Sequence, residues 1–334
     1  MDATNHQVRL AARPTGEPAP SDWAHTEEPV PSAAEGEILV RITHLSLDPA
    51  MRAWLDDRPS YIPPVGLNEV MRALGAAEVM ESRHPGFAPG DHVTGVFGVQ
   101  EYAVSDGRGV LKVDPSAVPI TTYLSALGMT GMTAYFGLFD VGALKDGETV
   151  LVSGAAGAVG SMVGQLAKIK GCTVVGIAGG PEKCAMLTEE LGFDAAVDYR
   201  DGSLSRKLRD AVPNGVDVFF DNVGGDVLDA GLGRLARGAR VVICGAISQY
   251  NIGLAAGPKN YLSLLVNRAR MEGFVVFDYA PRYAEAGAEI AGWLNAGQLR
   301  SKEDVVAGSV ADFPATLLKL FHGENVGKLV LQLA

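Results

Sequence analysis

The run Ser153-Gly-Ala-Ala-Gly-Ala-Val-Gly-Ser161 sets Gly157 and Gly160 directly after an apolar stretch and at the start of helical spacing. In that context Gly157 lets the backbone approach a pyrophosphate, and Gly160 lets helix and strand pack closely. The helix N-terminus adds unpaired N–H groups and a partial positive charge for phosphate oxygens. The run departs from G-x-G-x-x-G at Ala155, which stands where the first glycine belongs. NAD sites place an Asp or Glu about 20 residues further on, at the end of the next strand, to hold the ribose 2′-hydroxyl. Here Val175-Gly-Ile-Ala-Gly-Gly180 contains no carboxylate, and Pro181-Glu182-Lys183 follows. Nothing there repels a 2′-phosphate, and an ammonium at Lys183 attracts it. NADP is expected over NAD.

The elements that must position this turn read as alternating strands and helices. Thr149–Ser153, Thr173–Ala178, Val216–Asp221 and Arg240–Cys244 are short apolar runs. Ala158–Lys170, Pro181–Leu191 and residues 225–236 have helical character. That rhythm predicts a parallel sheet covered on both faces. Before about residue 120 the texture is strand and turn instead. Glu37–Ser46, Asp91–Val99 and Glu101–Val104 are strand candidates, cut by Pro85-Gly86 and Pro89-Gly90. Near the end, Asp312–His322 reads as a helix and Gly327–Leu333 as a strand. A terminal strand needs a partner, so the chain is expected to return to its β-rich first part.

The composition bounds the function. The 334 residues suggest two domains, and 41 of them are Gly, a count that suits tight turns and close backbone approach. With 28 Lys+Arg against 39 Asp+Glu, the net charge of −11 argues against nucleic acid as a partner. The N-terminal MDATNHQVRL has no apolar core of a signal peptide. The uncharged stretches Pro115–Phe139 and Thr149–Ala167 are too broken by polar and turn residues to read as membrane spans, so a soluble protein is expected. Three cysteines, Cys172, Cys184 and Cys244, exclude a disulfide framework and fit a reducing cytoplasm.

Several strings together resemble the medium-chain dehydrogenase/reductases, in the zinc-independent branch of prostaglandin/leukotriene reductases and alkenal double-bond reductases. They are Gly128-Met-Thr-Gly-Met-Thr-Ala-Tyr-Phe-Gly137, Ala155-Ala-Gly-Ala-Val-Gly160, Phe220-Asp-Asn-Val-Gly-Gly225, Cys244-Gly-Ala-Ile-Ser-Gln-Tyr-Asn251, Met271-Glu-Gly-Phe-Val-Val276 and Gly323-Glu-Asn-Val-Gly-Lys328. The resemblance implies an α/β fold: a Rossmann doubly wound parallel sheet at 123–305, plus a β-rich GroES-like catalytic domain from 1–122 and the return segment 306–334. It implies NADPH/NADP as cofactor and a homodimer. Gly157, Ala158, Val159 and Gly160 would hold the pyrophosphate, and Lys183 and Tyr199 the 2′-phosphate. Asn222, Cys244, Gly245, Ala246, Ile247, Ser248, Tyr250, Phe274, Val275, Val276 and Asn325 would line the rest. Residues 274–276 also read as a buried strand, Cys244 as a small buried hydrophobe, Asn222 as a turn residue, and Asn325 as loop punctuation.

Zinc-dependent relatives take ligands largely from the first domain, yet no cysteine precedes Cys172. His6, His25, His44, His84, His92 and His322 show no ligand spacing, so no metal is expected. The expected reaction is NADPH-dependent reduction of the C=C bond of α,β-unsaturated ketones or aldehydes. Hydride goes to the β-carbon, with the enolate stabilised by Tyr250 or a ribose hydroxyl. Tyr61, Arg52 and Met129 are candidate pocket residues. Ala50 stands where the family typically has Tyr, which alters any pocket shape taken from it. A quinone reductase on the same scaffold, or a non-catalytic NADPH-binding sensor, are the alternatives.

Overall fold

The structure, a computed structural model, describes residues 4–253 and 257–334. The chain divides into two compact units. One runs to Leu124 and resumes over Glu303–Ala334; the other is Ser125–Lys302.

The first unit opens with β1 (Thr4–Leu10) and β2 (Trp23–Pro29), an antiparallel pair. Strands β3 (Ile38–Ser46), β4 (Leu74–Ser82), β5 (His92–Val96), β6 (Tyr102–Ser105) and β7 (Leu111–Val113) follow. Each of β3 to β7 pairs antiparallel with its neighbours among them, so one face can pack while the other meets water. Leu10, Ile38, Leu45, Phe97, Phe313 and Leu331 lie in its core.

The second unit begins with α1 (Met129–Phe136). A six-stranded parallel sheet follows, in the order β10-β9-β8-β11-β12-β13. Its strands are β8 (Thr149–Ser153), β9 (Thr173–Ala178), β10 (Ala195–Asp198), β11 (Val216–Asp221), β12 (Leu235–Ile243) and β13 (Arg270–Gly273). The helices are α2 (Ala158–Ile169), α3 (Pro181–Glu189), α4 (Leu204–Ala211), α5 (Gly225–Leu232), α6 (Leu262–Asn267) and α7 (Tyr283–Asn295). Val150, Leu151, Val152, Val218, Phe219 and Phe220 are all fully buried, as strands covered on both faces must be. Strand order reverses direction between β8 and β11, so the crevice for a ligand lies outside the carboxyl ends there.

The chain then returns to the first unit with β14 (Glu303–Gly308), α8 (Phe313–His322) and β15 (Lys328–Leu333). β15 pairs antiparallel with β3 and parallel with β14. The return starts at Glu303, a little before the expected 306, because β14 is already part of this sheet. Lys328 locks the tail in place. Its fully buried amine donates to the Leu47 carbonyl at 2.7 Å and to the Asp48 carboxylate. Burial pushes that amine below its usual range although Asp48 pulls the other way.

Two expectations are corrected. The helix from 225 ends at Leu232, not 236. Arg234 N–H closes on the Gly231 carbonyl, and the next pairing, Val216 with Leu235, is already strand. Phe274–Val276 is not a buried strand either. β13 stops at Gly273, and Val276 opens a short 3₁₀ turn to Arg282. The reason is position: β13 is the edge strand, paired only with β12, and all four of its residues are exposed.

Candidate cofactor site

The Gly-rich turn after β8 is built by close backbone approach. A Cβ on Gly160 would lie 2.4 Å from the Gly154 carbonyl oxygen and 2.8 Å from Ala155 Cα, so any larger residue would prise α2 from β8. The departure at Ala155 is accommodated across the sheet. Its methyl sits 2.9 Å from where a Cβ on Gly176 of β9 would stand, so the glycine has in effect moved to the neighbouring strand. Gly157 is the N-cap of α2, and no side chain caps that terminus. The first-turn N–H groups therefore suit phosphate oxygens, so the turn fits a dinucleotide pyrophosphate.

The end of β9 decides which dinucleotide fits. Gly179 and Gly180 follow Ala178 with no carboxylate. A Cβ on Gly179 would meet Arg200 Nε, Tyr199 Cε1 and the Tyr199 hydroxyl, each at 2.9 Å. Pairing of β9 with β10, Ala178 opposite Asp198, carries those two side chains there. The Arg200 guanidinium lies over the Tyr199 ring, 5.8 Å from its centroid. Asp198 accepts N–H bonds from Gly180 (2.9 Å) and Arg200 (2.8 Å), which hold its carboxyl below its usual range. Lys183 stands half-buried in the first turn of α3. A phenol and a guanidinium thus lie beside Gly179, with the Asp198 carboxylate engaged by the Gly180 N–H and Lys183 in the first turn of the helix that follows. Sequence reasoning missed Arg200; the signal was its adjacency to Tyr199 at the end of a strand neighbouring β9.

On the other side of the strand reversal, Asp221 ends β11 fully buried. Its carboxylate accepts from Ser153 Oγ at 2.6 Å and from the N–H groups of Gly224 (2.9 Å) and Val223 (3.3 Å). Burial still pushes its carboxyl above the ordinary value. Asn222 donates its side-chain amide to the Ser153 carbonyl at 2.7 Å and its backbone N–H to Ser153 Oγ at 2.8 Å. These bonds stitch the turn after β8 to the turn before α5.

The segment Cys244–Tyr250 leaves β12 and is pinned to that second turn. Cys244 and Gly245 donate to the Asp221 carbonyl, Ile247 to that of Asn222, and Ser248 N–H to that of Val223. The Ser248 hydroxyl also donates to Val223 O at 2.7 Å. Tyr250 is folded back so that its hydroxyl accepts the Ala246 N–H at 3.1 Å. Burial, with a contribution from Asp221, pushes the Cys244 thiol up to about 12, so it stays neutral rather than nucleophilic. Phe274, Val275 and Val276 are half-buried, the Phe274 ring edge-on to Tyr279 at 6.4 Å.

The remaining candidates lie on other elements. Met129 is half-buried at the start of α1 in the second unit. In the first unit, Tyr61 is 50% exposed and accepts the Trp54 indole N–H at 3.4 Å. Asn325 donates its amide to the Gly327 carbonyl at 2.9 Å. Arg52 precedes them on the short helix that follows β3. It is buried, and its guanidinium bonds the carbonyls of Gly16 and Pro14 and the Asp56 carboxylate. Among the described residues no group of three or more His, Cys, Asp or Glu could hold a metal ion. No helix there is long and apolar enough to cross a membrane.

A parallel sheet whose strand order reverses, with a Gly-rich turn at its carboxyl edge that fits a pyrophosphate, defines the class: a dinucleotide-binding fold. Comparison with known proteins carries this further. Residues 6–113 match a family described as the N-terminal domain of oxidoreductase, and residues 158–292 one described as zinc-binding dehydrogenase. The chain is 40% identical to the NADPH-dependent curcumin reductase of Escherichia coli, covering 99% of this chain and 97% of that one. It is 39% identical to the NADP(+)-dependent 2-alkenal reductase of Nicotiana tabacum, covering 100% and 98%. Among solved structures, CurA of Vibrio vulnificus in complex with NADPH is 43% identical, with a TM-score of 0.93 over 98% of this chain and 99% of that one. The chain therefore belongs to the zinc-independent medium-chain dehydrogenase/reductases, in the branch of prostaglandin and alkenal reductases, and is an NADP-dependent oxidoreductase.

Proposed function

We propose that the chain reduces the C=C bond of α,β-unsaturated ketones and aldehydes. The reading is supported by the relatives named for alkenal and curcumin reduction and by the position of Tyr250. Residues 157–160 bind the pyrophosphate, and Lys183, Tyr199 and Arg200 bind the 2′-phosphate. Asn222, the segment 244–250 and residues 274–276 contact the rest of the cofactor. When bound, the reduced nicotinamide supplies a hydride to the substrate's β-carbon.

The residue chemistry rests on one observation, the bond from Ala246 N–H to the Tyr250 hydroxyl. That bond uses an acceptor site of the phenol and fixes the ring. Accepting an N–H also polarises the O–H, making it a stronger donor. A phenol near pKa ~10 is protonated at neutral pH. Tyr250 donates to the substrate oxygen as enolate charge develops there, and solvent delivers the proton to the α-carbon. Loss of one such donor typically costs about 10²–10³ in rate. Replacing Tyr250 with Phe should lower kcat with a simple enone by that order, a loss larger than any change in NADPH affinity. Unchanged turnover would remove the donor role. Turnover of quinones alone would favour a quinone reductase, and tight NADPH binding without turnover a sensor.

The chain also acts as a homodimer in this reading, joined at the edge of the parallel sheet. β13 exposes all its residues, and beside it α6 exposes Leu262 (58%), Leu265 (75%) and Val266 (67%). A second copy laid antiparallel about Met271 puts Arg270 opposite Glu272. Three free cysteines suit the reducing cytoplasm.

A further inference from the structure

We propose that the Asp221 carboxylate acts through its charge on the bound cofactor, favouring the cationic oxidised nicotinamide over the neutral reduced ring. The inference rests on the cofactor assignment and adds to it a residue that touches no ligand.

Asp221 is fully buried, yet its surroundings hold it as an anion. Oδ1 accepts from Ser153 Oγ at 2.6 Å and from the Val223 N–H at 3.3 Å, and Oδ2 accepts from the Gly224 N–H at 2.9 Å. Ser153 Oγ itself accepts the Asn222 N–H at 2.8 Å, so its own proton goes to Asp221. Both carboxylate oxygens are met by donors, the pattern of the ionised form. No lysine, arginine or histidine among the described residues pairs with it. The N-terminus of α5, which starts at Gly225, supplies partial charge only. Fully buried carboxylates nearly always have a cation against them, because an uncompensated charge inside protein is costly. Here the hydrogen bonds are answered and the charge is not.

Its place says which cation. Ser153 ends β8 and Asp221 ends β11, and strand order reverses between those two strands. A dinucleotide lies across the crevice above such a reversal. The 2′-phosphate side belongs to β9 and β10, so the nicotinamide half falls on the side of β11 and β12. The oxidised ring is the one cation that half can carry. It forms as hydride leaves, with both electrons of its C–H bond, for the substrate's β-carbon. Contact is not needed, because a charge in low-dielectric surroundings acts over several ångströms with little screening. The reach of Asp221 is already visible within the chain. Together with burial, it pushes the thiol of Cys244, on the segment after β12, up to about 12.

Asp221→Asn and Asp221→Ser remove the charge and keep an acceptor for the Gly224 N–H. Titration of each with NADP and with NADPH gives the ratio of the two affinities, which a purely structural role would leave alone. A unit charge acting over ~10 Å of protein shifts such a ratio by about tenfold. Both variants should therefore lose about tenfold in affinity for NADP relative to NADPH. Ser153→Ala removes a bond between the two strand ends but keeps the charge, and should weaken both forms alike. The wild type should bind NADP at least as tightly as NADPH. An unchanged ratio in either folded neutral variant, or an equal shift of the ratio in Ser153→Ala, would overturn the proposal. So would a wild type that binds NADPH more than tenfold more tightly than NADP, a result that needs no variant to fold. A wild type that binds neither form would instead overturn the cofactor assignment, and with it the basis of the inference.

Discussion

Arg200 offers a test of how the chain selects its cofactor. Its backbone N–H is anchored on Asp198 at 2.8 Å, and that bond survives truncation of the side chain. Arg200→Ala therefore removes a guanidinium from beside Gly179 without freeing the loop. A hydrogen bond to a charged group is worth about 1.5–3 kcal/mol. Arg200 is exposed, and salt at physiological strength screens charges beyond about 8 Å, so the lower end applies. About 1.5 kcal/mol corresponds to a little over tenfold in affinity. Fluorescence titration of NADPH should show a dissociation constant roughly tenfold higher in the variant, with the gap narrowing at high salt. NADH, which lacks the 2′-phosphate, should bind wild type and variant alike. An equal loss for both cofactors would mean that Arg200 supports the loop rather than reading the phosphate. Less than a twofold loss for NADPH would remove it from the site.

The edge strand and the buried lysine give two further expectations. Leu265→Glu combined with Val266→Glu places charges on exposed apolar positions of α6; light scattering should shift from dimer to monomer, and an unchanged dimer would place the interface elsewhere. For Lys328, burial lowers the amine below its unfolded value near 10.5. Between those two values the unfolded chain holds the extra proton, so this residue's contribution to stability grows as pH rises through that interval. Lys328→Met removes that dependence, so the wild type should gain on the variant in denaturant midpoint as pH rises there. A pH-independent difference would show that the amine titrates alike in both states.

Much of the second unit is legible in the sequence because its strands are buried on both faces. Thr149–Ser153, Thr173–Ala178 and Val216–Asp221 appear as short, mostly apolar runs and occur with those bounds in the structure. The edge strand lacks that signature. Met271-Glu-Gly pairs on one side only, and the apolar Phe274-Val-Val276 beyond it looks more like a strand than β13 does. Ala155 reads as a defect along the chain, yet it is explained across the sheet by Gly176. Arg200 escapes sequence reasoning for a related reason. It acquires its place from the register of β10 on β9 and leaves no local pattern. Arg52 shows the converse: a charged residue beside a family motif proves to be a tie between Pro14, Gly16 and Asp56.

The most direct test of the proposed reaction follows the hydride. NADPH deuterated at the transferable position, incubated with 3-penten-2-one and the enzyme, should yield 2-pentanone with deuterium on the former β-carbon by NMR. An allylic alcohol labelled at the carbinol carbon would contradict that account, as would no cofactor oxidation with the enone under conditions where a benzoquinone is reduced.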